Sequence, residues 1–193
     1  IYYFKDKSDR ELGLRFDLTV PIVRVVLNNP GIPKPFRVYS VGKMWRYEDI
    51  SAGRWREFSQ FDMELIGSGT AISDAEVIAC GVACLKTLGL EKIQVKINSK
   101  KILIGFAKSL GLSGENADNM FRTIDKREKL DDEAFRKELE KLGLDDTKVA
   151  LVEAFCSLSG DPSETVKTAE KTLTQNVLVA EGLGRLKEVF SLL

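Results

Sequence analysis

Residues 37–67 read RVYSVGKMWRYEDISAGRWREFSQFDMELIG, the most strongly patterned part of the chain. Two runs in which side chains alternate with a period of two flank a short turn that contains Ser51, Ala52 and Gly53. Period-2 alternation on both sides of a glycine-containing turn predicts an antiparallel β-hairpin. The hairpin is the framework on which we interpret the rest of the sequence.

The alternation divides the hairpin into two faces of different chemistry. The apolar face, which we expect to pack, consists of Tyr39, Val41, Trp45, Phe61, Met63 and Leu65. The polar face consists of Ser40, Gly42, Met44, Arg46, Phe58, Gln60, Asp62 and Glu64. A polar sheet face can simply be solvated. An arginine facing an amide and two carboxylates above a glycine is more typical of a pocket lining.

Three blocks of this stretch resemble motif 2 of the class II aminoacyl-tRNA synthetases. They are WRYE at 45–48, GRWREF at 53–58 and QFDME at 60–64, and the last two are similar to the form in histidyl-tRNA synthetases. The resemblance implies an α+β fold, in which a class II synthetase-type antiparallel sheet with flanking helices is followed by an all-helical insertion subdomain. The predicted domains are 1–99, a partial catalytic core, and 100–193, the insertion.

The resemblance also implies an activity, histidine–tRNA ligase, in which ATP activates L-histidine to histidyl-adenylate before transfer to tRNA(His). Its catalytic residue would be Arg46, between the substrate carboxylate and the α-phosphate. The histidine-binding residues that it implies are Asp17, Leu18, Thr19, Arg46, Gln60 and Glu64. The ATP-binding residues that it implies are Arg46, Glu48, Arg54 and Phe58. ATP and Mg²⁺ are the implied cofactors, without a metal site built by the protein.

Further partners follow from the resemblance alone. They are the acceptor end of tRNA(His) and a second copy in a homodimer of the full-length protein. The resemblance also implies a cytoplasmic or organellar location. Motif 1 is expected before Ile1, and motif 3 and the anticodon-binding domain after Leu193, so the chain is predicted to be a poorly active or inactive fragment. Two alternatives are the synthetase-like regulatory subunit of ATP phosphoribosyltransferase, whose motif residues typically drift, and a purely structural or interaction fragment.

Composition restricts the possible chemistry. The chain has 29 basic and 29 acidic side chains and no histidine. Catalysis by Ser-His-Asp or Cys-His groups within the chain is therefore excluded. Activation of a carboxylate by ATP is not excluded, because the carboxylate is already the nucleophile and the reaction needs positioning and charge neutralisation. No apolar run approaches the length of a membrane span, and no signal peptide is visible.

The segment before the hairpin leads from an extended run at 12–18 into a helix that ends near Leu27. Pro21 fits the first turn of that helix, and Thr19 is the predicted cap. From the residues alone, Asp17 and Thr19 are equally well interpreted as helix caps. LRFDLTVPIVRVV also resembles the synthetase segment whose acid and threonine hold the α-amino group of the substrate, here from one extended strand.

After the hairpin, residues 73–76 (SDAE) predict a capping box that opens a helix closed by Gly89. The helix is apolar almost all round, so we expect it to be buried against the sheet. The alternation at 93–97 predicts one further strand. The three cysteines, Cys80, Cys84 and Cys156, are interpreted as buried small hydrophobes in a reducing compartment rather than as metal ligands.

From residue 100 onward short amphipathic helices are predicted, with turns at 111–114, 143–145 and 159–162. The last helix, predicted at 175–193, places Ala180, Leu183, Leu186 and Phe190 on one apolar stripe. The charges at 136–138 and 141 are expected on a solvated face. Within the hairpin, Arg56 and Asp62 are interpreted either as site residues or as a structural pair.

Overall fold

A computed structural model describes residues 1–173 and 176–193 of the chain. The residues form two compact units, Ile1–Gly89 and Leu90–Leu193. The sequence predicted a boundary between 99 and 100. The structure instead groups residues 90–99 with the helical part of the chain rather than with the hairpin.

The first unit contains two small antiparallel sheets and two helices. Its elements are β1 (Tyr3–Lys5), β2 (Glu11–Gly13), α1 (Thr19–Asn28), β3 (Phe36–Trp45), β4 (Glu57–Ile66) and α2 (Ala71–Thr87). β1 pairs with β2, and β3 pairs with β4. The β3–β4 pair is the predicted hairpin, with Gly42 opposite Gln60 and Met44 opposite Phe58.

The tip of the hairpin is a tight turn, as predicted. Ser51 and Arg54 form an isolated antiparallel bridge in which the Arg54 N–H donates to the Ser51 carbonyl oxygen at 2.9 Å. Gly53 lies between them with φ of 76°, a left-handed backbone conformation that glycine adopts without steric cost.

The two faces of the hairpin differ in exposure, in the opposite sense to that expected. Met44 on the polar face is fully buried, whereas Tyr39 and Val41 on the apolar face are 73% and 67% exposed. α2 contacts β4, and a Cβ added to Gly81 of α2 would lie 3.6 Å from the Met63 Cε atom. One helix lies over the Met63 end of the apolar face, and the region of Tyr39 and Val41 remains open, so the packing prediction is wrong there.

The start of α1 differs from the prediction in one residue. Thr19 is the first residue of the helix and does not cap it. The Asp17 carboxylate caps instead, since its Oδ1 atom accepts from the Thr19 N–H at 2.6 Å and the Val20 N–H at 3.3 Å. An acid two residues before a helix can reach amides that have no partner within the helix.

α2 also begins earlier than predicted. Thr70 is its cap, and the Thr70 hydroxyl accepts from the Ser73 N–H at 3.4 Å. Ser73 is therefore a donor inside the first turn rather than the start of a capping box, and that prediction is wrong. The helix ends at Thr87, and Gly89 follows it with φ of 85°.

α2 is buried only in part. Ala71, Ser73 and Ala75 are buried, but Ile72 is 64% exposed. A single two-stranded sheet covers only one side of a helix, so the prediction of burial all round is wrong. Cys80 is consequently exposed, whereas Cys84 and Cys156 are half-buried, and all three thiols are free.

The segment from 91 to 99 forms no strand, so the strand predicted at 93–97 is wrong. Side-chain burial does not follow the predicted alternation either, because Ile97 packs against the core of the helical unit while Val95, two residues earlier on the same predicted face, is 48% exposed. A strand also needs a neighbouring strand for its backbone hydrogen bonds, and the described residues provide none at this position.

From Lys100 onward, the described residues of the second unit form helices joined by short connections. Its elements are α3 (Lys100–Ser109), α4 (Gly114–Asp125), a 3₁₀ turn (Arg127–Lys129), α5 (Asp132–Glu140), α6 (Asp146–Ser157), α7 (Pro162–Thr172) and α8 (Val177–Leu192). The predicted turns are present, with left-handed Gly111, Gly143 and Gly160 between helices. One cluster of buried side chains forms the core, with Phe106, Phe135, Met120, Leu139, Val149 and Val152 at its centre.

The predicted start of the last helix, Gln175, lies outside the described residues. α8 buries Val179, Leu183 and Leu186, whereas Ala180 is exposed. The apolar stripe therefore includes Val179 in place of Ala180, and the prediction was wrong for that residue.

The charges on α5 are only partly solvated. Arg136 donates to both carboxylate oxygens of Glu153 on α6, at 2.7 and 3.2 Å, and these bonds raise the pKa of the arginine. Lys137 and Lys141 instead pair with glutamates on the exposed surface of their own helix segment. Arg136 is thus a link between two helices.

Across 1–173 and 176–193, no helix combines the length and the apolar character that crossing a membrane requires.

Candidate functional site

Arg46 follows β3 directly and is held on the polar face by three contacts. Its Nε atom donates to the Phe16 carbonyl oxygen at 3.0 Å, and its Nη2 atom donates to the Gln60 Oε1 atom at 3.1 Å. Its Cζ atom lies 5.2 Å from the ring centroid of Phe58, a cation–π distance. The guanidinium is therefore fixed in direction before any ligand is present.

Gln60 connects Arg46 to the carboxylate of Asp62. The Gln60 Nε2 atom donates to the Asp62 Oδ1 atom at 2.6 Å, while its Oε1 atom accepts from Arg46. The period-2 geometry of β4 places Gln60 and Asp62 on the same face, as the alternation predicted.

Three buried polar atoms on this face lack hydrogen-bond partners among the described residues. They are Ser40 Oγ, Asp62 Oδ2 and Glu64 Oε1. Ser40 lies opposite Asp62 in the β3–β4 register. Leaving a buried acceptor unsatisfied costs about 1–3 kcal/mol, and more for a charged group. A ligand with N–H or ammonium donors would satisfy these atoms.

Arg15 is a component of the site that the sequence analysis missed. Its carbonyl oxygen accepts from the Trp45 N–H at 2.8 Å, and its guanidinium donates to the Lys43 carbonyl oxygen at 3.1 and 3.2 Å. A Cβ added to Gly42 would lie 3.2 Å from the Arg15 Nη2 atom, so the Arg15 guanidinium lies directly over the glycine of the polar face. The feature of the sequence that could have identified Arg15 as a site residue is its position two residues before Asp17.

The segment 17–19 reaches the site only in part. Leu18 is buried, and its Cδ2 atom would lie 3.6 Å from a Cβ at Gly42. Asp17 is half-buried and caps α1, whereas Thr19 is exposed on the first turn of that helix. The expectation that Asp17 and Thr19 stand on one extended strand is therefore wrong.

The side chains at the hairpin tip contact one another. Arg54 Nε lies 2.9 Å from Glu48 Oε2, an ion pair between two of the four predicted ATP-binding residues. Arg56 donates to the Glu48 carbonyl oxygen at 3.2 Å, and its Cζ atom lies 4.7 Å from the ring centroid of Tyr47. Arg56 and Asp62 are thus held by different partners, and the alternative of a structural pair between them is wrong.

Outside the polar face, Glu57 accepts from Lys43 and from the Trp45 Nε1 atom, the latter at 3.0 Å. These bonds lower the pKa of Glu57, and the bond from Lys43 contributes most to the shift.

In the described ranges 1–173 and 176–193, no three His, Cys, Asp or Glu side chains come together as a possible metal site.

Solved structures share the fold of this chain. Histidyl-tRNA synthetase from Nostoc sp. PCC 7120 superposes with a TM-score of 0.86 at 23% identity, over 99% of this chain and 44% of that one. A Bacillus halodurans C protein described as ATP phosphoribosyltransferase regulatory subunit/histidyl-tRNA synthetase superposes with a TM-score of 0.84 at 25% identity, over 99% of this chain and 48% of that one. The mixed α/β architecture with its small antiparallel sheet is thus of the synthetase type.

The sequence comparisons define the family more narrowly. The family model described as Histidyl-tRNA synthetase matches residues 1–193. Histidine–tRNA ligase of Aeropyrum pernix is 39% identical over 100% of this chain and 44% of that protein. The Clostridium tetani ligase is 38% identical over 98% of this chain and 43% of that protein. The chain belongs to the histidyl-tRNA synthetase family, and it spans less than half the length of these curated relatives.

Proposed function

We propose that this chain contributes the motif 2 hairpin to a histidine–tRNA ligase, which joins L-histidine to tRNA(His) through histidyl-adenylate. One observation supports the proposal most strongly. Buried acceptors without partners among the described residues share the polar face with an arginine that is already fixed in direction. Such a face is complementary to an amino acid, which carries N–H donors and a carboxylate.

L-histidine would lie on the polar face of the hairpin. The Glu64 carboxylate would accept from an imidazole N–H, and Gln60 would contact the substrate beside it. Asp17, Leu18 and Thr19 would lie around the α-amino group. A buried acceptor that other amino acids leave unpaired gives strong discrimination against them. Glu64 is thus the proposed specificity residue.

ATP would bind toward the tip of the hairpin. Phe58 would stack on the adenine, Glu48 would accept from its amino group, and Arg54 would hold the terminal phosphates. Because Glu48 and Arg54 are paired at 2.9 Å, ATP binding would require this ion pair to separate. Mg²⁺ is usually bound through one or two carboxylates together with substrate phosphates, and here it would arrive with ATP and offset phosphate charge.

Arg46 would supply the catalytic effect of the hairpin. The histidine carboxylate would attack the α-phosphate of ATP directly and displace pyrophosphate, so the first step needs no general base. The planar guanidinium would donate to both groups and stabilise the charge that accumulates on the phosphate in the transition state. The contacts with Phe16 and Gln60 support this role, because a donor fixed in advance does not reorganise during reaction.

We further propose that the helical unit meets the acceptor end of tRNA(His), and that the full-length protein is a cytoplasmic homodimer, with an organellar form as the alternative. The relatives named histidine–tRNA ligase at 38–39% identity favour tRNA charging. They make the regulatory-subunit alternative the weaker proposal, although the Bacillus halodurans C protein carries both descriptions.

Calorimetric titration tests the proposal. L-histidine, L-glutamine and L-lysine are titrated separately into the chain, with and without ATP and Mg²⁺. We expect saturable binding of L-histidine that the other two amino acids do not reproduce. Equal binding of all three, or no binding of L-histidine by the folded chain, would count against a histidine site on this hairpin.

A further inference from the structure

The hydrogen bonds of the polar face form a chain from Arg46 through Gln60 to Asp62. Arg46 Nη2 donates to Gln60 Oε1 at 3.1 Å, and Gln60 Nε2 donates to Asp62 Oδ1 at 2.6 Å. The two ends of the Gln60 amide therefore have opposite hydrogen-bonding roles, an acceptor toward the guanidinium and a donor toward the carboxylate.

This arrangement permits one orientation of the amide. If the amide rotated by 180°, its NH₂ group would face the donors of Arg46 and its oxygen would face the carboxylate of Asp62. Both contacts would then be repulsive. A carboxylate accepts a stronger hydrogen bond than a neutral oxygen does, so Asp62 contributes strongly to the preference.

We propose that Asp62 is a positioning residue, which holds the Gln60 amide with its oxygen toward Arg46 and thereby fixes the Arg46 guanidinium for the substrate carboxylate. The identity of the substrate rests on the proposed function. The hydrogen-bond chain is a property of the folded protein and can be measured without substrate.

The surroundings of Asp62 support this role. Gln60 lies opposite Gly42, so no side chain on β3 competes for its amide at that position. The Ser40 hydroxyl, opposite Asp62, is buried without a partner among the described residues, as is the second carboxylate oxygen of Asp62. Within the described part of the chain, Asp62 thus uses its carboxylate for the bond to Gln60.

Side-chain NMR of the ¹⁵N-labelled chain tests the hydrogen-bond chain directly. The measured quantities are the rates at which the Gln60 amide protons and the Arg46 Nη2 protons exchange with water. Asp62→Ala should accelerate both by about tenfold or more, because it removes a charge-assisted bond. Asp62→Asn keeps an oxygen acceptor but not the charge, so it should accelerate both exchange rates less than Asp62→Ala does.

Ser40→Ala is the matched control, because it removes a neighbouring side-chain oxygen that bonds neither residue, and its exchange rates should equal those of the wild type. Unchanged exchange in Asp62→Ala would overturn the proposal.

Calorimetric titration of L-histidine tests the consequence. Asp62→Ala should raise the Kd for L-histidine about tenfold, whereas Asp62→Asn, which keeps a neutral acceptor, should raise it less. An equal loss in both variants would mean that the charge of Asp62 acts on the substrate, and it would overturn a positioning role. If the wild type binds no L-histidine, the proposed function fails, and the proton exchange rates still decide whether Asp62 fixes Gln60 and Arg46.

Discussion

At the scale of single residues, Glu64 is the residue with which the proposed selectivity is best tested. Its Oε1 atom is buried and has no partner among the described residues. Glu64→Gln keeps the shape and replaces this charged acceptor by a neutral amide. We expect the Kd for L-histidine, measured by calorimetry, to rise about tenfold or more, because hydrogen bonds to charged groups are the stronger ones.

The same substitution should stabilise the protein without ligand. A neutral amide is less costly to bury than a carboxylate, so the free energy of unfolding of the hairpin unit should rise by about 1 kcal/mol. Glu57→Gln is the control, since it makes the same change on the opposite face of β4. It should leave histidine binding unchanged, and equal effects of the two substitutions on binding would refute the assignment of Glu64.

At the scale of secondary-structure elements, α3 and α8 approach closely at two glycines. A Cβ at Gly182 would lie 2.5 Å from the Ile102 Cγ1 atom and 3.1 Å from the Ile102 backbone nitrogen. A Cβ at Gly105 would lie 3.0 Å from the Val179 backbone nitrogen. Backbone atoms cannot rotate away from a new side chain, so α3 and α8 can pack in this way only if both positions lack a Cβ.

Gly182→Ala should therefore lower the free energy of unfolding of the helical unit by about 1–3 kcal/mol, the usual cost of overpacking. Gly184→Ala on the same helix is the matched control, because a Cβ there meets nothing within 4 Å. It should raise stability by up to about 1 kcal/mol through helix propensity. Chemical denaturation followed by circular dichroism measures both, and destabilisation by the two substitutions alike would contradict the packing argument.

The ion pair between β3 and α2 gives the hairpin unit a pH dependence. Arg37 donates to both carboxylate oxygens of Glu76, and this bonding lowers the pKa of Glu76 below its ordinary value. The pair therefore stabilises the fold above the pKa that Glu76 has in the unfolded chain. This stabilisation is lost as the pH falls through the lower pKa of the folded state.

We expect the thermal midpoint, followed by tryptophan fluorescence, to fall less between pH 7 and pH 3.5 in Glu76→Gln than in the wild type. Glu11→Gln, which changes an exposed glutamate on β2, should retain the wild-type decrease. Both side chains of the pair are partly solvated, so high salt should narrow the difference between wild type and Glu76→Gln. A decrease of the same size in Glu76→Gln would refute the contribution of the pair.

The elements that the sequence predicted well are those in which local pattern and tertiary contacts agree. The alternation at 36–45 and 57–66 predicted the hairpin, and the glycines between helices marked the turns of the second unit. The alternation at 93–97 misled, since nothing local reveals whether a partner strand exists. Of the two cap candidates for α1, Asp17 is the observed cap. The cap of α2 was misassigned because Thr70 lies three residues before the predicted start of that helix.

For the site, the sequence predicted which residues share the polar face, because the side-chain period in a strand is fixed at two. It did not predict the bonds from Arg46 to Phe16 or from Arg15 to Lys43, because they join segments about thirty residues apart in the chain. It also did not predict that Glu48 and Arg54 would pair, since that contact depends on the conformation of the tip. Faces follow from the local pattern, but contacts between segments require the fold.

At the scale of the whole molecule, the two compact units should unfold in separate transitions. The helical unit has one cluster of buried side chains that includes Phe106, Met120 and Phe135. The hairpin unit buries fewer large side chains, with Met44 the largest that is fully buried. Each unit thus has its own interior, and the hairpin unit should be the less stable of the two.

The chain has two tryptophans, Trp45 and Trp55, and both belong to the hairpin unit. Tryptophan fluorescence therefore reports that unit alone, while helical circular dichroism is dominated by α3–α8 of the other unit. We expect a urea titration to give a lower midpoint by fluorescence than by circular dichroism. Gly182→Ala should lower the midpoint by circular dichroism and leave the fluorescence midpoint in place. Coincident midpoints that shift together in that variant would mean that the two units unfold as one.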